Sequence, residues 1–579
     1  MPENSSSVIN VAETLALALR RHGITEVFGQ SLPSAFFLAA SKHGIRQITY
    51  RTENAGGAMA DGYARISNRI GVVGAQNGPA ATLLVPPLSE AMRSSIPVLA
   101  LVQEVPLAAR DRNAFQELDH TALFQGCCKW MGEIADPARA EDYLDMAIAI
   151  ATSGRPGPVV LMLPKDVLVK PTAPGLQQRH ASLGQFPLDR NRPAADQVAE
   201  AAARIARASR PLVVAGGGVH LSGASAELAR LQEIASLPVA TTNMGKGAVS
   251  ELHELSVGVI GNYMGLNSAT RYMRNLVEDA DLILFLGSRT NENGTDSWKL
   301  FPADATYIHA DIDSAEIGRN YEALRLPGDL KLVLADLTEA IAASDLTVRS
   351  ESRRQIVGHV AEAREKHARE VASLLTSDAV PIRPERVMAE LDALLTEDTI
   401  VVADASYATI WSGNYLQARR AGQRFLSPRG LAGLGWGLPL ALGAKAANPA
   451  SPVVCISGDG GFAHVWAELE TAVREDLPVT LIVLNNSILG FQKHSELHQF
   501  GEHTSAIDFM PVDHAAIASA CGADAIRVED PGDLRIALKK AFSSPRITLV
   551  ECLIDPDAYP PITLWDDSRS RILEHKGEL

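Results

Sequence analysis

The sequence predicts an α/β protein built as three doubly wound parallel-sheet domains. Three observations carry that expectation. Short apolar runs alternate with helical stretches along the whole chain. The runs are rich in β-branched residues and end in Gly, Asn, Asp or Ser, as buried parallel strands do. Two aperiodic breaks divide the 579 residues into three blocks of ordinary domain size.

Nine runs read as strands: VVGAQNG, IPVLALVQ, GPVVLMLP, RPLVVAGGG, ADLILFLGS, TIVVADAS, PVVCISGDGG, LPVTLIVLNN and ITLVECLID. The stretches between them carry apolar residues three and four apart, as in HVWAELETAVRE, and read as crossover helices. Residues Pro171 to Pro193 are proline-rich without a period and read as a linker. A charged helical run followed by a proline-flanked segment, Val348 to Pro384, reads as a connecting helix and a second boundary. The expected blocks are 1–170, 190–345 and 380–565.

Composition narrows the function. Lys+Arg 53 against Asp+Glu 68 gives a net charge of −15, which argues against broad nucleic-acid or anionic-membrane binding. None of the five cysteines forms a CxxC pair, so there is no zinc signature. The N-terminus lacks the pattern of a secretory signal. The longest apolar stretch, Gly430 to Ala444, holds five glycines and a proline and is too short to span a bilayer. These features predict a soluble cytoplasmic protein.

The most informative segment is ISGDGGFAHVWAELETAVREDLPVTLIVLNNS. A strand ends in Gly458-Asp459-Gly460-Gly461, a helix follows, and a second strand ends in Asn485-Asn486. Glycine turns at strand ends expose N–H groups, and a following helix adds its positive end, which together cradle phosphate. Asp459 and Asn486 end two strands joined by one crossover and are expected to be neighbours. A carboxylate, an amide oxygen and a backbone carbonyl suit Mg²⁺, which completes its octahedron with phosphate and water. The block therefore predicts a Mg²⁺-bridged diphosphate at the sheet edge.

A GDG triplet, 24 residues and then NN, spread over strand–helix–strand, resembles the diphosphate motif of thiamine-diphosphate enzymes. Nearly the whole chain is similar to the superfamily of acetolactate synthase, pyruvate oxidase and oxalyl-CoA decarboxylase, with the synthases nearest. The resemblance implies pyrimidine-binding, middle and diphosphate-binding domains in that order. It implies thiamine diphosphate and Mg²⁺, with the metal on Asp459, Asn486 and the carbonyl of Ile488, and Gly458, Gly460, Gly461 and Gly490 beside the diphosphate. In RTENAGGAMADGYAR it assigns Glu53 to the aminopyrimidine, whose tautomerisation a buried carboxyl group drives. In GLAGLGWGLP it assigns Leu434 as the wedge that folds the cofactor into a V. Ser406 and Tyr407, in DASYATIW, are candidates for lining the phosphates.

On the substrate side the resemblance points to Phe115-Gln116 and Lys129, with Gln116 contacting the intermediate and Lys129 holding a carboxylate. Gln30 and Asn77 mark two loops that depart from the synthases. Gln30-Ser31-Leu32-Pro33 replaces Pro-Gly-Gly, and Asn77-Gly78-Pro79-Ala80 replaces Ser-Gly-Pro-Gly. Beyond Asn486, Gln492 and Ser495 stand where synthases present Val and Trp. Leu32 and Ala80 would narrow a substrate pocket, and Gln492 could donate to a carboxylate or hydroxyl. These departures leave the donor substrate open.

In the middle block, Gly216-Gly217-Gly218 ends a strand and could approach a pyrophosphate or form a tight turn. Arg289, Asp311 and Asp313 are the other candidates for a nucleotide there. FAD, ADP, coenzyme A or no ligand all stay open. The resemblance implies an enzyme that decarboxylates a 2-oxo acid and joins the acyl carbanion to a carbonyl acceptor. The alternatives are a flavin-linked oxidase of the pyruvate oxidase type and an acyl-CoA lyase or decarboxylase. It also implies a homodimer as the minimum active unit and a homotetramer as the common assembly.

Overall fold

The computed structural model describes residues 9–172 and 183–566. Part of the expected linker, 173–182, lies outside the described residues. Three six-stranded parallel sheets carry the fold, with one short antiparallel pair, Ile9–Asn10 against Pro171–Thr172. The first holds β1 (Glu26–Gly29), β2 (Arg46–Ile48), β3 (Gly71–Ala75), β4 (Val98–Glu104), β5 (Trp130–Glu133) and β6 (Val159–Pro164). The second holds β7 (Pro211–Ala215), β8 (Val239–Thr241), β9 (Ser256–Val259), β10 (Leu282–Leu286), β11 (Thr306–Asp311) and β12 (Leu324–Pro327). The third holds β13 (Ile400–Ala403), β14 (Phe425–Leu426), β15 (Val453–Gly458), β16 (Thr480–Asn485), β17 (Asp524–Val528) and β18 (Thr548–Leu553).

All nine runs read as strands from the sequence are strands. The sheet orders are β2-β1-β3-β4-β6-β5, β9-β8-β7-β10-β11-β12 and β14-β13-β15-β16-β18-β17. The first and third sheets therefore share one topology, a relationship that no visible repeat in the sequence announces. In open parallel sheets, ligands collect at the carboxyl ends of strands where the winding reverses. That point lies between β1 and β3, between β7 and β10, and between β13 and β15. Each sheet is buried between helical layers, with β4, β6, β10 and β16 closed to solvent along their lengths.

Chain contacts divide the molecule into two compact units. One runs to Asp189 and takes in Pro428–Ala450 and Val465–Val479; the other holds the middle sheet and the third sheet. The first unit is organised around the Glu53–Ser67 helix. Thr52 caps it by accepting from Ala55 N–H, and Asn68 ends it in the left-handed region. This helix packs on the Gly437–Ala447 helix backbone to backbone. A Cβ on Gly62 would sit 2.2 Å from the Leu440 oxygen, and one on Gly443 would sit 1.9 Å from the Met59 oxygen. Gly56 lies under the Tyr50 ring and Gly57 against Pro87.

The charged connecting run is a helix, Thr347–Leu375, and it belongs to the middle sheet's packing. Its Ile356, Val360 and Ala363 join the core formed by Leu212, Phe285 and Tyr307. Its buried Arg349 donates to the carbonyls of Ala208, Ser209, Ala235 and Ser236. The crossover after β15 differs from expectation. It is one turn, Asp459–Phe462, and a separate helix, Glu468–Arg474, in place of one continuous helix. Among the described residues no helix is long and apolar enough to cross a membrane.

Gly443→Ala tests the close approach. In an unconstrained helix the change stabilises by about 1 kcal/mol. Here the new methyl meets a main-chain oxygen, and overpacking of that kind costs about 1–3 kcal/mol. A lowered midpoint in thermal or urea unfolding is expected, and a raised one would show that the helices separate freely.

Candidate active site

Strands β15 and β16 pair in register, Gly458 opposite Leu484, so Asp459 and Asn485-Asn486 leave the sheet side by side. Asp459 is buried, and no cationic side chain lies against it among the described residues. Burial pushes its carboxyl up to about 6, against the pull of the N–H groups of Gly460, Asn486, Asp459 itself and Ser487. Asn486 Oδ1 accepts from Ile488 N–H at 3.3 Å, which folds the turn so that Ile488 follows the same strand end. A buried carboxylate beside an amide oxygen and a turn carbonyl, with amides but no cation around it, fits a hard divalent ion. A Cβ on Gly458 would meet nothing within 4 Å, which leaves open space at the strand end for a diphosphate. Gly461 is buried, and a Cβ on Gly460 would press on Phe509 and Leu489.

The neighbouring strand β13 delivers Ser406 and Tyr407 to the same end. Asp404 Oδ2 accepts from Ser457 Oγ at 3.0 Å and ties β13 to β15. Ser406 stands at φ 66 before the Tyr407–Tyr415 helix. The Tyr407 ring passes over Gly490, where a Cβ would lie 3.1 Å from it and 3.4 Å from Asn486 Nδ2. Its hydroxyl pairs with His494 Nδ1 at 2.5 Å, and His494 stacks on Tyr559 with ring centres 3.6 Å apart. Gln492, which stands where synthases present Val, is exposed and donates to Glu496 Oε1 along its own helix, Gly490–Phe500.

Glu53 opens its helix directly after the Thr52 cap. It is buried, and no hydrogen bond or ion pair reaches its carboxyl group among the described residues. Tyr50 packs beside it and donates to the Gly74 carbonyl at 2.7 Å. Burial first, then the charges of Glu53 and Glu468, raise the Tyr50 phenol well above its usual value. A carboxyl group that no protein group engages is open to a ligand, and a heterocyclic nitrogen is a partner that suits it.

The winding reversal of the first sheet gathers the substrate candidates. Gln30 Nε2 donates to the Arg51 carbonyl at 2.8 Å. Asn77 Nδ2 donates to the carbonyls of Phe115 and Gln116 at 3.3 and 2.9 Å. Gln116 is held at φ 59, and its Oε1 accepts from Gln76 Nε2 at 2.6 Å. Gly78 makes this contact possible, because a Cβ there would lie 2.8 Å from Gln116 Cβ. Behind the loop, Gly78 N–H donates to His120 Nε2 at 2.9 Å, and His120 Nδ1 meets Glu104 Oε1 at 2.5 Å. No motif marks His120 or Glu104 in the sequence, since a lone His at a helix start reads as ordinary core. Phe115 is 82% exposed.

The Lys129 ammonium donates to the carbonyls of Ile150, Ser153 and Arg155 at 2.6, 3.0 and 2.8 Å. Burial, and then Arg155, lower its pKa to about 8. It closes the end of the Ala140–Thr152 helix, where free carbonyls attract a cation. In the middle sheet, Gly216 N–H donates to the Leu286 carbonyl and Gly218 N–H to the Gly287 carbonyl. A Cβ on Gly216 would lie 2.2 Å from the Gly287 oxygen, so these glycines let β7 and β10 close on each other. The amides of Gly216 and Gly218 are thus engaged within the sheet. Arg289 follows β10, while Asp311 ends β11 and accepts from Asp313 N–H at 2.9 Å.

Leu434 lies in a loop of the first unit that the buried Glu90 holds. Glu90 accepts from Gly430 N–H at 2.7 Å and Leu431 N–H at 2.5 Å. Ser94 Oγ donates to the same carboxylate, and Arg65, paired with Asp61, lies 3.7 Å away.

Comparison with known proteins identifies three matching domains along the chain. Residues 9–123 match the N-terminal TPP binding domain of thiamine pyrophosphate enzymes, 198–337 the central domain and 404–552 the C-terminal TPP binding domain. A probable acetolactate synthase large subunit of Methanococcus aeolicus is 32% identical over 98% of this chain and 97% of its own. One from Methanocaldococcus jannaschii is 33% identical over 95% and 93%. An acetolactate synthase of Arthrospira platensis is 31% identical over 98% and 99%.

The Asp459 carboxyl sets a pH dependence. Its folded pKa of about 6 exceeds the usual 3.8, so its stability contribution is full below about pH 4 and is lost as pH rises through 6. A bound cation takes the proton's place. The apparent Mg²⁺ affinity, read by tryptophan fluorescence with thiamine diphosphate present, is expected to fall about tenfold per pH unit below 6. Asp459→Asn is expected to abolish the cation response at every pH. Lys129→Met leaves three carbonyls without a donor and is expected to cost about 2–3 kcal/mol in urea unfolding, with cofactor affinity unchanged.

Proposed function

Because this chain belongs to the thiamine pyrophosphate enzyme family, we propose that it decarboxylates a 2-oxo acid and joins the acyl fragment to a carbonyl acceptor, as an acetolactate synthase-like carboligase. Its dependence on thiamine diphosphate follows from the family. The observation that carries the mechanism is Glu53, buried and without a partner at a helix start, in a chain that also retains Asp459 opposite Asn486.

When bound, thiamine diphosphate supplies a nucleophilic thiazolium carbon and an electron sink for the bond to the departing CO₂. The chain's residues supply the rest. Asp459, Asn486 and the Ile488 carbonyl would hold Mg²⁺, with the Gly458 turn leaving room for the phosphates. Glu53 would donate its proton to the ring nitrogen of the aminopyrimidine, and Leu434 would hold the two rings in a V. Gln116, fixed by Gln76 and Asn77, would present its backbone and side chain to the substrate. In this reading two copies of the chain share each cofactor, as a homodimer or a tetramer built from two.

Pyruvate is the first donor to test, and the altered loops at Leu32 and Ala80 support a donor or acceptor other than the synthases' own. A nucleotide in the middle domain is a second reading. The β9-β8-β7-β10-β11-β12 order is that of dinucleotide-binding folds and supports it, although the Gly216 and Gly218 amides are engaged. An absorbance spectrum of the purified protein distinguishes FAD from ADP or coenzyme A.

The function is tested by incubation with pyruvate, Mg²⁺ and thiamine diphosphate, measuring CO₂ and acetoin after acid treatment. Acetoin supports the carboligase reading; CO₂ without acetoin, together with a bleached flavin, would replace it by an oxidase. Glu53→Gln is expected to slow hydrogen–deuterium exchange at the thiazolium carbon by about 10²-fold or more, within the range for loss of a positioned acid.

A further inference from the structure

The backbone that leads into Glu53 has no strand or helix partner of its own. It is held by side chains of the Glu468–Arg474 helix and the residue after it. Glu468 is buried. Its Oε1 accepts from Arg51 N–H and Thr52 N–H, both at 3.1 Å, and its Oε2 accepts from Arg51 N–H at 3.2 Å. Thr471 Oγ1 donates to Oε2 at 2.8 Å and fixes the carboxylate's rotation. One turn on, Arg474 Nη2 donates to the Thr49 carbonyl at 2.7 Å and Glu475 accepts from Thr49 N–H at 3.0 Å. Gln30 takes the Arg51 carbonyl. Thr52 is then fixed at both ends: its N–H by Glu468, its carbonyl by Gly56 N–H at 2.9 Å and its hydroxyl by Ala55 N–H. Glu53 is the next residue.

We propose that Glu468 is a positioning residue for Glu53, setting where its carboxyl group stands by clamping the Arg51 and Thr52 amides. The inference rests on the role of Glu53 given above. A carboxylate suits the task because two N–H donors converge on it. Such charge-assisted bonds are about twice as strong as neutral ones, and negative charge is favoured ahead of a helix start. Removing the charge leaves the donors facing an amide that offers one acceptor oxygen and two competing hydrogens. The Glu53 helix would remain, because Thr52 still caps it and its glycine face still packs on the Gly437–Ala447 helix. Its first turn would lose the fixed origin, and a displacement near 1 Å at a catalytic group costs about 10²-fold.

The test is Glu468→Gln, read by hydrogen–deuterium exchange at the thiazolium carbon of thiamine diphosphate, with Mg²⁺ and cofactor saturating. Exchange is expected to slow by about 10–10²-fold, in line with the cost of misplacement, while cofactor affinity measured by fluorescence stays within about 3-fold. The double variant Glu53→Gln/Glu468→Gln is expected to exchange no more slowly than Glu53→Gln alone, since coupled residues are not additive. If Glu468→Gln does not fold, Glu468→Asp decides the matter. It keeps the charge but is one methylene too short to meet both amides, and its exchange is expected to slow by roughly 3–10-fold. Wild-type exchange in the folded Glu468 variant, with Glu53→Gln slow, overturns the positioning role and leaves the role of Glu53 standing. Wild-type exchange in Glu53→Gln overturns both.

Discussion

Main-chain contact between the Glu53–Ser67 and Gly437–Ala447 helices is the constraint around which the first unit is arranged. Gly62 and Gly443 let each helix touch the other's carbonyl oxygens, at separations that leave no room for a side chain. Two residue stretches nearly four hundred positions apart are thereby fixed at backbone precision. Buried carboxylates complete the arrangement in both directions. Glu90, from the first block, takes the amides of Gly430 and Leu431 ahead of Leu434. Glu468, from the third block, takes the amides of Arg51 and Thr52 ahead of Glu53. Each block therefore holds a loop of the other, the one before Leu434 and the one before Glu53.

The shared topology of the first and third sheets gives this reciprocity a structural basis. Both wind in the same order and reverse between their first and third strands. In the third sheet that point carries Asp404 to Tyr407 and Gly458 to Gly461. In the first it carries Gln30 and Gln76 to Gly78. The middle sheet has the other doubly wound order, and its reversal is closed by glycine backbone packing. Similar apolar strands thus support an end that carries Asp459 beside Asn485-Asn486, a loop built on Asn77 and Gln116, and a packed junction. The difference lies in the residues just past the strand ends.

The strands that were legible are those covered on both sides by neighbours. Val98–Glu104, Val159–Pro164 and Thr480–Asn485 are buried throughout and read as continuous apolar runs. Nine strands were not singled out: the six edges, and the interior β1, β8 and β11, whose apolar stretches are short or broken by polar residues. Arg46–Ile48, Phe425–Leu426 and Trp130–Glu133 have no apolar run to read. The same logic sorts the site. Asp459 and Asn486 could be paired from the sequence, since strand ends joined by one crossover fall together. Lys129 could not, because the carbonyls that hold it end a helix lying twenty residues further on.

By itself the sequence determined the three-block α/β organisation, the strand ends that bear Asp459 and Asn486, and Glu53 at the start of a small-residue helix. These are local facts, written in residue type, periodicity and spacing along one stretch of chain. Tertiary structure alone decided which polar groups are engaged: Lys129 on helix carbonyls, Gln492 on Glu496, and Gly216 and Gly218 on the β10 end. It also brought in His120, Glu90 and Glu468, whose contacts with Gly78, Gly430 and Arg51 span about forty to four hundred residues. A hydrogen bond depends on distance and angle in space, and a sequence fixes neither until the chain has packed.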